Sequence, residues 1–237
     1  MLISFVDKIA FILYNKNMVG IVDYNAGNIK SVERAVSFLG LEKDKGYIIS
    51  KNPKDLENAD KIIFPGVGEA KYAMEQLKKT GFDSFLHDFA TRGHEILGIC
   101  LGSQIIFEHS EEGDTICLGL VKGDIKHFSK LFEEAKIDCR NLKIPQMGWN
   151  DITEQNGSSK ILQGIKPNSD FYFVHSYVIQ PTDKNIVKAT TSYGIEVPAV
   201  IQSKNIFACQ FHPEKSGEEG LKILKNFCFK NCTEDKE

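Results

Sequence analysis

Short apolar runs alternate with amphipathic stretches along the first half of the chain. Met18-Val19-Gly20-Ile21-Val22-Asp23 is apolar on both alternating faces, the pattern of a strand buried from both sides. After a turn at Asn25-Ala26-Gly27-Asn28, the residues Ile29, Val32, Ala35, Val36 and Leu39 recur at helical spacing. They predict a helix over 29–39, stopped by Gly40. Strands are expected at Tyr47–Ser50, Asp60–Phe64 and Ile96–Cys100, and helices at 69–79, 82–92 and 101–109, the last with Ile105 and Ile106 facing inward. This alternation predicts an α/β fold built on an open, mostly parallel sheet flanked by helices.

The texture changes beyond residue 113. Leu118–Phe128 reads as short strands joined by glycines, and Lys143–Ile152, Asp170–Ile179, Ile186–Thr191, Ala199–Gln202 and Asn205–Gln210 are strand-like. Ser216–Lys230 closes the pattern as a helix carrying Leu221, Ile223, Leu224 and Phe227. There is no repeat, low-complexity segment or linker, so residues 18–237 are expected to form a single domain with antiparallel strands in its second half. Residues 1–17 are mildly apolar but interrupted by Asp7 and Lys8, and lack a basic start and a small-residue cleavage site. They read as an extension or an upstream start, not a signal peptide.

Composition narrows the function only by exclusion. A net charge of −3 marks neither a nucleic-acid nor an anionic-membrane binder. No apolar run reaches the roughly 18–20 residues of a spanning helix. Six cysteines (100, 117, 139, 209, 228 and 232) form no C-x-x-C pair, and reduced thiols in a cytoplasmic chain are expected. Cys228 and Cys232, four apart, fit a buried helical face better than a metal site. No metal cluster or nucleotide fingerprint appears, and no cofactor is expected.

One cysteine stands apart. Gly98-Ile99-Cys100-Leu101-Gly102-Ser103-Gln104 places a thiol between glycines at a strand-to-helix bend, a thiol version of the nucleophile elbow. The helix N-terminus that follows favours a thiolate. A base is also required, because a free thiol is only a few per cent ionised at neutral pH. Of the six histidines, His87 and His94 sit in polar surroundings, His109 and His127 lack a well-placed carboxylate, and His175 lies inside a strand. A lone histidine is usually a satisfied surface or core residue. His212 differs: Gln210-Phe211-His212-Pro213-Glu214 leaves an apolar strand with a carboxylate two residues on. Pro213 biases His212 towards extended backbone, where residues i and i+2 point the same way. Glu214 is therefore placed to orient His212, completing a Cys-His-Glu triad. Pro65-Gly66-Val67-Gly68, at another strand end, can turn an amide inward for an oxyanion, with the Leu101 amide as second donor.

The elbow, the QFHPEKS stretch and PGVG together resemble class I glutamine amidotransferases. DYNAGNIKSV (23–32), PQMGWN (145–150) and YFVHSY (172–177) narrow the resemblance to the glutaminase subunits of imidazole glycerol phosphate synthases of histidine biosynthesis, over Met18 to Phe227. The resemblance implies a flavodoxin-like fold and a glutaminase in which Cys100 attacks the side-chain amide of glutamine, His212 shuttles protons and Glu214 orients His212. It assigns Gly66, Val67 and Gly68 to the oxyanion strand, and Gln104, Glu112, Ser176 and Tyr177 to substrate binding. Met147, Trp149, Tyr172 and Lys215 match the face that docks a cyclase (β/α)8-barrel, which receives the ammonia in a heterodimer. Ser103 replaces a common methionine and Gln146 a common histidine, and residues 1–17 have no counterpart. Two alternatives stay open: a related glutaminase feeding another synthase, such as one amidating a sugar, and a stand-alone cysteine hydrolase.

Overall fold

A computed structural model describes residues 18–229 of the chain. The expectations for residues 1–17, Lys230 and Cys232 fall outside them. Strands β1 (Val19–Val22), β2 (Tyr47–Ser50), β3 (Lys61–Gly66) and β4 (Glu95–Cys100) alternate with helices α1 (Ile29–Phe38), α2 (Ala70–Thr80) and α3 (Phe82–Thr91), and α4 (Leu101–Ile105) follows the last strand. The main sheet has eight strands. Its parallel part runs in the order β2, β1, β3, β4 and β14 (Ile206–Cys209). Antiparallel strands β13 (Ile195–Ser203), β12 (Val187–Tyr193) and β9 (Thr153–Glu154) extend it.

Alternation within β3 divides the core. Ile62 and Phe64 pack with Met74 and Leu77 of α2 and Phe85 and Phe89 of α3, whereas Ile63 faces Val32 and Val36 of α1. Helix α6 (Gly217–Cys228) joins the second face through Ile223, Leu224 and Phe227. A sheet covered on both sides has to be apolar on both sides, which is why these strands read as continuous apolar runs. Gly81, at φ +79°, ends α2 and begins α3, keeping two short helices from fusing.

The second half departs from expectation in four places. The helix from Leu101 ends at Ile105, because Leu120 N and Gly119 N donate to the carbonyls of Ile106 and Phe107 and draw the chain off the helical path. It continues into a four-stranded sheet of β11 (Tyr177–Pro181), β7 (Gly123–His127), β5 (His109–Ser110) and β6 (Thr115–Ile116). Phe128–Glu134 forms a helix, α5, with Phe128, Leu131 and Phe132 buried at helical spacing. Asp170–Ile179 is not one strand. β10 (Asp170–His175) pairs with β8 (Gln146–Asp151) in a separate ribbon, and β11 starts after Ser176, whose carbonyl takes the Phe128 amide. Finally, β13 is longer than Ala199–Gln202. It accommodates Pro198 beyond the residues paired with β14 and beside a register shift in β12.

Candidate active site

The elbow explains its own glycines. Cys100 sits at φ +54°, ψ −112°, between the end of β4 and the start of α4. A Cβ at Gly102 would lie 2.0 Å from the Phe64 carbonyl oxygen, and one at Gly98 would lie 2.8 Å from the Gly102 oxygen. Helix α4 thus rests directly on the backbone of β3 and β4, and no side chain fits between. Ser103, fully buried, donates to the Cys100 carbonyl at 2.6 Å and ties the strained residue down.

The side chains of His212 and Glu214 are almost completely buried, and His212 Nδ1 lies 2.8 Å from Glu214 Oε1. The pairing expected from the sequence is present, but it arises differently. His212 is extended (φ −98°, ψ 94°), and a 3₁₀ turn over Pro213–Lys215 swings Glu214 back onto the ring. Burial opposes a charge on His212, yet hydrogen bonding to Cys100 and Glu214 and their negative charge outweigh it, raising the pKa to about 9. Nε2 has no hydrogen-bond partner of normal geometry. The sulfur contributes to raising the ring's pKa without forming a hydrogen bond of normal geometry to it. Cys100 Sγ lies instead 3.8 Å from the Val174 carbonyl. Among the other described cysteines, burial pushes Cys117 and Cys228 up to about 12 and also raises Cys209, leaving those thiols inert.

Buried polar atoms without partners gather here: His212 Nε2, Glu214 Oε2, Gln210 Nε2 and the Tyr24 hydroxyl. The Tyr24 oxygen would be 2.7 Å from a Cβ on Gly66. Such orphans are uncommon in a folded interior and mark sites built for something other than stability. Two open surface depressions of about 320 and 710 Å³ lie elsewhere, one by Met74 and His87 and the other by Arg34 and Phe38. Neither includes a triad residue.

The remaining sequence-predicted residues fall into three groups. In the oxyanion group, Leu101 opens α4, where the first amides lack intrahelical acceptors. Gly66 ends β3 opposite Cys100 and Gly68 has φ +98°, but the Val67 amide donates to the Ala26 carbonyl at 3.3 Å and so is engaged away from the site. In the substrate group, Gln104 Nε2 donates to Tyr177 O at 2.9 Å. Burial and the neighbouring charges of Glu112, Glu111 and Glu69 raise the Tyr177 phenol. Glu112 accepts from Ala70 N at 2.7 Å, and burial together with Glu69 raises its pKa. Ser176 offers its carbonyl to Phe128 N. In the third group Met147, Trp149 and Tyr172 lie on the β8–β10 ribbon and Lys215 in the turn after His212. Met147 and Trp149 are 63% and 55% exposed, Trp149 and Tyr172 have ring centroids 5.9 Å apart, and Lys215 Nζ sits 5.7 Å from the centre of the Tyr172 ring.

The other histidines are accounted for. His87 bonds Leu118 O, His94 stacks on Phe89, His109 pairs with exposed Asp114, and His127 caps α5. Burial lowers His175 to about 4, a neutral ring held by Tyr177 O and Gln146, so the unusual Gln146 is bonded in the core. The sequence reading missed Gln210, Ser103 and Ser216. Ser216 Oγ donates to the His212 carbonyl at 2.6 Å and accepts from Tyr172 N at 3.0 Å. A polar Gln210 inside an otherwise apolar strand end was the available signal. No group of three or more potential metal ligands occurs among the described residues, and no described helix is long and apolar enough to cross a membrane.

The family profile "Glutamine amidotransferase class-I" matches residues 21–231. The chain is 42% identical to an imidazole glycerol phosphate synthase subunit HisH of Dehalococcoides mccartyi over 221 residues, covering 93% of this chain and 100% of that protein. The HisH subunit of Caldanaerobacter subterraneus is 43% identical over 211 residues, covering 89% of this chain and 97% of its own. Among solved structures, PurLQS of Thermotoga maritima superposes with a TM-score of 0.63 at 18% identity, covering 90% of this chain and 97% of that chain, a likeness of fold alone. With a thiol at a glycine-flanked elbow, a carboxylate-bound histidine beside it, and family similarity along nearly the whole chain, this protein belongs to the class I glutamine amidotransferases and is a glutaminase-type enzyme.

Proposed function

We propose that this chain is the glutaminase subunit of an imidazole glycerol phosphate synthase, acting in the cytoplasm as a heterodimer with a cyclase (β/α)8-barrel. The reading is carried by the buried His212–Glu214 pair beside Cys100. The Cys100 thiol gives its proton to His212 Nε2, and Sγ attacks the side-chain carbonyl carbon of glutamine. The tetrahedral oxyanion is met by the Leu101 amide and by an amide of Gly66–Gly68. His212 returns the proton to the leaving nitrogen, ammonia departs, and a glutamyl thioester remains. Water, deprotonated by His212, then releases glutamate and restores the thiol. Glutamine and water are consumed, and glutamate and ammonia are formed. The ammonia passes to the barrel, which yields imidazole glycerol phosphate and the aminoimidazole carboxamide ribotide.

The docking role of Met147, Trp149, Tyr172 and Lys215 is supported by the exposure of Met147 and Trp149 and by the contacts that join Trp149, Tyr172 and Lys215. Because the Val67 amide is tied to Ala26, Val67 can serve as the second oxyanion donor only after that bond opens. Glutamate release is therefore expected to be slow for the chain alone and faster with the barrel. The test is glutamate and ammonia release by the full chain, with and without a co-expressed cyclase barrel. Cys100→Ala should abolish both products while still co-purifying with the barrel. Normal hydrolysis by Cys100→Ala would refute the nucleophile, and vigorous hydrolysis that no barrel stimulates would favour a stand-alone hydrolase.

A further inference from the structure

The turn between β1 and α1 faces the end of β3 with two polar groups. One is the Ala26 carbonyl, which takes the Val67 amide at 3.3 Å. The other is the Tyr24 hydroxyl. Tyr24 is fully buried, its ring centroid lies 5.4 Å from that of Phe64, and its hydroxyl has no hydrogen-bond partner. That oxygen would be 2.7 Å from a Cβ on Gly66, so it reaches the Gly66 backbone through the space a side chain would fill. An unpaired buried hydroxyl is costly, and a phenylalanine would avoid the cost at nearly the same volume. Burial, with the charge of Cys100 adding to it, pushes the phenol up, so it stays protonated and able to donate. The Gly66 carbonyl and the Val67 N–H belong to one planar trans peptide and point in opposite directions. Turning the N–H from Ala26 towards an oxyanion therefore swings the carbonyl the other way, towards the turn that holds Ala26 and Tyr24. There it meets a second carbonyl, which repels it, among the core side chains of Ala26, Phe64 and Tyr24. Left unpaired in that interior it would oppose the movement.

We propose that Tyr24 is a positioning residue whose hydroxyl catches the Gly66 carbonyl when the Gly66–Val67 peptide turns, and so holds the Val67 amide at the oxyanion. This rests on the glutaminase reading above. One short turn then supplies a partner for each position of the peptide: Ala26 O for the N–H at rest, and the Tyr24 O–H for the carbonyl once it has turned. A bistable element needs such a partner in both of its states. The orphan hydroxyl is the half of the pair that the resting position leaves unused.

The test is steady-state glutamine hydrolysis by the full chain with its barrel partner, set beside alkylation of Cys100 by iodoacetamide. Alkylation uses the same thiol, but its sulfur displaces iodide from a saturated carbon and no oxyanion forms. Tyr24→Phe keeps the ring and removes the oxygen. It should lower kcat about 5- to 50-fold with KM within about 3-fold, the pattern for one buried hydrogen bond made only on the way to the transition state. Cys100 alkylation, followed by mass spectrometry, should keep its rate within about 2-fold, because the thiol itself is untouched. The melting temperature should hold or rise, since the hydroxyl has no partner at rest. Tyr24→4-aminophenylalanine puts an N–H donor in the same place and should return kcat to within about 3-fold of the parent. An unchanged kcat, an equal loss of alkylation, a lower melting temperature, or no recovery with 4-aminophenylalanine would overturn the proposal. A parent complex that turns over no glutamine would instead overturn the glutaminase reading, and this proposal with it.

Discussion

His212 lives under opposed influences: burial resists its charge, while Cys100 and Glu214 on either side favour it. Its pKa in the fold, about 9, lies above the ordinary 6.5, so the folded chain binds that proton more tightly than the unfolded chain. The resulting stabilisation is complete below about pH 6.5 and is lost as the pH climbs through about 9. Thermal unfolding of the parent and of His212→Asn should therefore differ most near pH 6 and converge towards about pH 9.5; a constant gap would contradict the assignment. Glu214→Gln removes the carboxylate that fixes the ring and its charge but keeps the volume. Turnover of glutamine should fall by about 10²–10⁴-fold, as for triads that lose their orienting carboxylate, and the melting temperature should fall with it below about pH 9, where the carboxylate supports the buried imidazolium. Stopped assays of glutamate release at saturating glutamine would measure it.

At the scale of elements, the elbow depends on backbone packed against backbone. Gly102→Ala would push a methyl group to 2.0 Å from the Phe64 carbonyl oxygen, and neither α4 nor the central strand β3 has room to yield. A loss of at least about 3 kcal/mol is expected by urea denaturation, at the upper end for overpacking. An alanine chain unfolding at the parent's midpoint would refute the contact. Such glycines were legible in the sequence because their pattern, G-x-C-x-G, is local. So were β1, β3 and β4, whose side chains are buried on both faces, and the half-buried edge strand β2. The His212–Glu214 pairing was legible too, although a 3₁₀ turn and not strand alternation delivers Glu214. What was not legible is long-range or carried by backbone. The Gln104–Gln210 bond spans 106 positions, the Val67 amide is engaged by a carbonyl 41 residues earlier, and the division of Asp170–Ile179 between two sheets depends on partners that no periodicity records. Helix α5 did carry a readable signal in Phe128, Leu131 and Phe132, but it followed directly on a strand-like stretch that masked it.

Across the whole molecule, the β8–β10 ribbon joins the candidate docking face to the chemistry. Its outer side carries Met147, Trp149 and Tyr172, while the backbone of β10 touches His212 and Cys100: Tyr172 O accepts from His212 N at 2.9 Å and Val174 O faces Cys100 Sγ. These two peptide units connect the outer face to His212 and Cys100. Trp149, more than half exposed and resting on Tyr172, has the size and chemistry of an interface anchor. Trp149→Ala should leave the melting temperature of the isolated chain within about 1–2 °C, since little of its surface is buried there. Binding to the barrel should weaken by about 2 kcal/mol, roughly 30-fold in Kd, by calorimetric titration. If the ribbon only docks, saturating barrel should restore full glutaminase activity to the variant; if it also positions the triad, a deficit in kcat should persist at saturation. The shared hydrogen bonds favour the second outcome, and a variant that binds weakly yet reaches the parent's kcat would confine Trp149 to docking.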